Sequence, residues 1–138
     1  MHFGIRALWL ALALAAASAC NDNGSLTSTT PTSTITTSET FTGILTKNGA
    51  VTHQFSATSR GSVTATLTKI NPDSSLTIGV SLGTWNGASC QIILANDQAI
   101  VGSALIGTVS GVGNLCLRVY DVGKLTTSQD YSVDVVHP

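Results

Sequence analysis

From residue 39 onward the chain alternates apolar and polar side chains with a period of two, in short runs separated by turn residues. Phe41, Gly43 and Leu45 interleave with Thr40, Thr42 and Ile44, and Asn48-Gly49 then supplies a turn. Val51, His53, Phe55 and Ala57 interleave with Thr52, Gln54, Ser56 and Thr58 before Arg60-Gly61 turns the chain again. Val63, Ala65 and Leu67 keep the rhythm up to Asn71-Pro72-Asp73-Ser74, a run of turn formers. Leu76, Ile78, Val80 and Leu82 follow, and residues 91–94, 104–109, 115–120 and 131–136 bring the count to about eight strands. Successive side chains of a strand point to opposite faces, so each run presents one apolar face. No window competes with the 3.6-residue period of an amphipathic helix. A lone sheet would leave that apolar face wet. Two antiparallel sheets are therefore expected to pack face to face, giving an all-β fold: a single jelly-roll-like β-sandwich over residues 39–138. The short turns predict hairpin or meander connections.

The first twenty residues follow a different pattern. Arg6 provides a positive charge, and an apolar run from Ala7 to Ala17 follows it. This is the build of a secretion signal over residues 1–19, shorter than the roughly 20 apolar residues of a spanning helix. Ala17-Ser18-Ala19 is a small-residue cleavage pattern. With Cys20 added, the same residues resemble the lipobox of bacterial lipoproteins, with Ala17 standing where that family most often has Leu. The resemblance implies a diacylglyceryl group on the Cys20 thiol, further acylation of the palmitate kind, and membrane attachment. The alternative is an ordinary signal-peptidase cut and a secreted product. One acyl chain anchors only marginally, so durable attachment needs the multiply acylated form.

Residues 20–38 carry almost nothing but Ser and Thr after Asn21-Asp22-Asn23-Gly24, with Leu26, Pro31 and Ile35 the exceptions from Ser25 on. Such a segment has no apolar face to bury and is expected to act as a disordered linker between anchor and domain.

Composition narrows the function. Charged residues are 9% of the 138, against about 25% in an ordinary soluble domain, and the formal net charge is −1. No basic stripe is present to neutralise phosphates, so nucleic acid is not an expected partner. Of the three cysteines, Cys90 and Cys116 are expected to pair in an oxidising compartment, two free thiols being the alternative, and Cys20 is left for the lipid. A Ser/His/Asp triad could be assembled on paper from His53 with Asp97 or Asp121. No G-x-S-x-G elbow to expose a nucleophile is read in the chain, and His53, between Val51 and Phe55, reads as a core-edge or interface histidine with a hydrogen-bonded ring. His137, beside the end of the sequence, is expected to fray. Asp97, Asp121, Asp130 and Asp134 form no D-x-D-x-D run and read as surface carboxylates and turn formers, so neither a metal nor a cofactor is expected. Trp85, in Gly83-Thr84-Trp85-Asn86-Gly87, sits where a loop tip is expected. It is the candidate ligand contact, for a sugar ring or a partner's side chain, the alternative being a Trp folded back over an open end of the sandwich.

Several strands resemble those of the bacterial pre-peptidase C-terminal domain, a β-sandwich module. Phe41-Thr42-Gly43-Ile44-Leu45, then Val51-Thr52-His53-Gln54-Phe55, is similar to that family's opening. Gly61-Ser62-Val63-Thr64-Ala65-Thr66-Leu67-Thr68 is similar to its third strand. Gly113-Asn114-Leu115-Cys116-Leu117-Arg118-Val119-Tyr120 and Tyr131-Ser132-Val133-Asp134-Val135 are similar to its closing pair. The family's acidic Asp-x-Asp-Leu pattern is replaced here by Leu76-Thr77-Ile78-Gly79-Val80. The resemblance implies a β-sandwich appended to exported proteins, with targeting or binding roles and no reaction of its own. The expected function is thus a lipid-anchored, non-catalytic module of the cell envelope, facing the periplasm or the outside and binding a glycan or an extracellular protein. The alternatives are an accessory or inhibitory partner of a secreted enzyme, and a hydrolase.

Overall fold

The computed structural model describes residues 34–138; the expected signal, Cys20 and most of the linker lie outside them. Eight strands follow one another: β1 (Thr37–Leu45), β2 (Ala50–Ala57), β3 (Gly61–Asn71), β4 (Ile78–Trp85), β5 (Cys90–Ala99), β6 (Ala104–Val109), β7 (Gly113–Tyr120) and β8 (Gln129–His137). No helix occurs among the described residues. The strands form two four-stranded antiparallel sheets, ordered β1-β8-β3-β6 and β2-β7-β4-β5. That is the strand order of a jelly roll, the double-sheet solution to burying one apolar face per strand.

The expected inward residues do face inward. Leu45, Phe55, Val63, Leu67, Val80, Leu82, Leu117, Val119, Tyr131, Val133 and Val135 are all buried in one core between the sheets. Their strands keep the alternation; β8, for example, buries every second residue from Gln129 to His137.

The connections correct the hairpin or meander expectation. Only β4 and β5 form a hairpin; the other six links cross from one sheet to the other. At the first turn Asn48 adopts φ 55°, Gly49 N–H donates to the Thr46 carbonyl at 2.9 Å, and Asn48 N–H donates to Asp121 Oδ2 at 2.8 Å. Turn residues dictate this local geometry, but burial of apolar faces decides which sheet the next strand joins.

Two further boundaries differ from expectation. β1 begins at Thr37, inside the expected linker, because Thr37 and Ser38 pair with His137 and Val136. His137 does not fray: it is buried in β8, and its Nε2 lies 2.9 Å from Glu39 Oε1. Thr58 N–H donates to the Pro138 main-chain oxygen at 2.9 Å, which ties the segment to the end of β2.

Candidate binding cleft

The outer face of the β2-β7-β4-β5 sheet is built over small residues. β4 is buried on both faces from Ile78 to Gly83. On the outer side it offers only Gly79, Ser81 and Gly83, in register with Tyr120, Arg118 and Cys116 of β7. Two links pass from β7 to β5 across this low strand. The Tyr120 ring lies over Gly79, where a Cβ would collide with it, and its hydroxyl donates to Asp97. At the other end Cys116 forms a disulfide with Cys90, the first residue of β5, with Cα atoms 5.8 Å apart. Cys116 and Cys90 are not on neighbouring strands, since β4 lies between them. The approach is possible because β5 folds close over Gly83, where a Cβ would strike the Gln91 backbone. The expected pairing is thus present.

His53 Nε2 and the Tyr131 hydroxyl are 2.7 Å apart, and the His53 ring stacks on Phe41 with centroids 5.0 Å apart. The bond joins β2 to β8 across the core, and the His53 ring is hydrogen-bonded as expected. Burial lowers the His53 pKa from its ordinary value of 6.5 and pushes the Tyr131 hydroxyl up to about 12. The Tyr120 hydroxyl also rises to about 12, through desolvation first and then its bond to Asp97. Asp121 is a turn former: its Oδ1 accepts from the N–H groups of Gly123, Lys124 and Leu125. Desolvation acts to raise its pKa, but these bonds and the one from Asn48 outweigh it and the carboxyl is lowered.

The triad drawn from sequence is therefore not assembled, since His53, Asp97 and Asp121 each serve a different local structure. The sequence reading of nucleophile elbows also needs correcting. Gly79-Val80-Ser81-Leu82-Gly83 has the literal G-x-S-x-G spacing, but it runs straight along β4 instead of turning. Ser81 is buried there, and its Oγ donates to the Arg118 carbonyl at 3.4 Å. Among the described residues no three His, Cys, Asp or Glu side chains cluster as metal ligands would.

Trp85 is not at the loop tip. It is the last residue of β4, half-buried and in register with Cys90, and residues 86–89 form the tip instead.

Sequence reasoning missed a cleft of about 310 Å³ where the open edges of the two sheets, β5 and β6, face each other. Its lining includes the core residues Phe55, Val63, Leu82 and Leu115, which form an apolar floor. Ile93 and Leu94 of β5 and Gly107 to Val109 of β6 are its walls, closed at one end by the loop of residues 110–112 and the start of β7 at Gly113. Thr84, Thr108, Ser110 and Asn114, all exposed, supply its polar lining, and the Asn114 amide oxygen accepts from Ser56 Oγ at 3.0 Å. No lining residue is ionisable. Of its lining, Ile93 is 67% exposed and Val112 82%, wet apolar surface of the kind that marks a binding side. A signal for this side was present in the chain: between Asp73 and Arg118 the one charged residue is Asp97, which Tyr120 engages.

Strand β5 is not a free template for another strand. Its register against β4 slips twice, between Ile78 and Val80 and between Leu82 and Gly83, and Ile93 is the extra residue at the second slip. Such bulges twist an edge away from strand addition. The side thus offers side chains and a cleft more than a backbone ladder.

No family model matches this chain, and no curated protein matches it.

Proposed function

We propose that this protein is an exported, non-catalytic binding module, held at the cell envelope by a lipid on Cys20, that takes its partner through the β5–β6 side. The observation that carries the binding reading is the uncharged apolar cleft between those strands. Ligand sites are typically concave, mostly apolar and furnished with a few convergent polar groups, in the size range of this cleft. Its hydroxyl and amide groups suit holding a molecule; it supplies no general base. The anchoring reading rests on the Ala17-Ser18-Ala19-Cys20 pattern and on the arithmetic that leaves Cys20 over once Cys90 and Cys116 have paired. The strand motifs quoted above, which resemble those of pre-peptidase C-terminal modules, support reading the sandwich as one that binds without catalysing.

Membrane fractionation with intact-mass measurement tests the anchor. The wild type should sediment with membranes and carry acyl mass on Cys20, and Cys20→Ser should move to the soluble fraction. A soluble, unacylated wild-type product refutes it. For the binding side, Val112→Asp should weaken association with the envelope partner while leaving thermal stability unchanged, since Val112 is exposed; full binding by that variant would remove the β5–β6 side from the proposal.

A further inference from the structure

The geometry points to a neutral amphiphile as the occupant of the β5–β6 cleft: one apolar chain of about ten carbons with an uncharged, hydrogen-bonding head. This deepens the binding-module reading and rests on it.

Three observations converge. The first is charge. The cleft is lined by apolar side chains and four neutral polar ones, with no cation to receive a carboxylate or phosphate and no anion to receive an amine. A charged head drawn against this lining loses part of its hydration with no countercharge to offset it, whereas a neutral head loses less and can hydrogen-bond to the hydroxyls at the mouth. The second is size. At about 30 Å³ for each water- or methylene-sized group, 310 Å³ holds roughly ten of them. The third is the glycines. Gly111 and Gly113 line the cleft with ordinary φ, and a Cβ at either would meet nothing within 4 Å. Neither backbone conformation nor crowding demands glycine there. What their missing side chains leave is open space along the wall, as where a ligand approaches backbone closely. Gly107 on β6 differs: a Cβ there would stand 2.8 Å from Leu94 Cδ1, so at this point the two sheet edges already touch and bound one side of the space. The polar groups sit where a head group would emerge, with Thr84, Thr108 and Ser110 exposed above the buried floor.

The test uses the full chain carrying Cys20→Ser, so that no attached lipid competes, with N-phenyl-1-naphthylamine as a neutral fluorescent reporter. 1-Decanol should displace the reporter, and decanoate at pH 8, the same chain with a charged head, should be at least tenfold weaker. Gly107→Leu, whose side chain must push Leu94 aside into the cleft, should reduce reporter binding at least tenfold. Gly111→Val, at a position with room for a side chain, should reduce it as well and serves if the first variant fails to fold. Equal displacement by decanoate overturns the neutral-head assignment while leaving a binding cleft. Binding untouched by both glycine variants overturns the site. No reporter binding, together with a dimer in sedimentation, overturns the amphiphile and makes a second copy the occupant. The lipidation state of the wild type bears on none of these outcomes, so the anchor and the ligand fail separately.

Discussion

Tyr131 fills space that any side chain at residue 43 would occupy: a Cβ on Gly43 would lie 2.5 Å from the Tyr131 hydroxyl. Because that hydroxyl also bonds His53, one glycine on β1 decides whether β2 and β8 are joined across the core. Gly43→Val should therefore destabilise the fold by about 1–3 kcal/mol, the usual range for overpacking, read as a lower urea midpoint with unchanged slope. The same bond has a pH signature. Burial holds the folded His53 pKa below 6.5, so the unfolded chain takes up the proton first as pH falls. Stability from this group is complete above about pH 6.5 and is lost as pH drops towards its folded value. Tyr131, raised to about 12, keeps its proton throughout, and its hydroxyl can donate to or accept from His53 Nε2 according to the state of the imidazole, so the pH dependence comes from the cost of charging a buried ring. Urea midpoints between pH 8 and pH 5 should fall less steeply in His53→Gln, whose amide oxygen can still accept from Tyr131 but does not titrate. Parallel slopes in the two proteins would contradict this account.

Strand β5 depends on its neighbours' glycines and on one covalent link. The Cys90–Cys116 bridge closes a separation of 26 residues, for which loop-closure entropy gives about 3.5 kcal/mol. Replacing both cysteines by Ala should lower the melting temperature by roughly 15–25 °C for a domain of this size, measured by calorimetry. Gly83→Val should approach that effect with both cysteines in place, because the Gln91 backbone occupies its side-chain position. Much at this scale was legible in the chain. Period-two alternation identified the inward face of every strand from β1 to β4, and 104–109 coincides with β6. Sheet membership was not legible, because a two-residue turn closes an arch between layers as readily as a hairpin within one. β5 was expected over 91–94 and runs from Cys90 to Ala99, since Asn96-Asp97-Gln98 has turn composition and a bulged edge strand lacks clean alternation. Burial of His137 was hidden because its partners Thr37 and Glu39 lie a hundred positions away. The cleft was hidden for a related reason: it is a gap between strand edges, written in no local pattern except the shortage of charge.

At the scale of the whole molecule, the pairing is overwhelmingly between distant parts of the chain. β8 lies between β1 and β3 at the centre of its sheet, and β7 lies between β2 and β4 at the centre of the other. Neither sheet can be completed before the last third of the sequence is in place. Folds dominated by non-local pairing reach the native state in about milliseconds to seconds, and stopped-flow refolding with the disulfide intact should fall in that range; microsecond folding would contradict the topology. Deleting residues 129–138 should leave no cooperative melting transition, because it removes the partner of both β1 and β3. The adjacency of the first and last strands has one more consequence. Thr37 and His137 are register partners, so a short Gly/Ser bridge could join them and the chain could be reopened among the exposed residues 86–89. Such a circularly permuted molecule should retain the native fold, with the Cys90–Cys116 link securing the new terminus of β5.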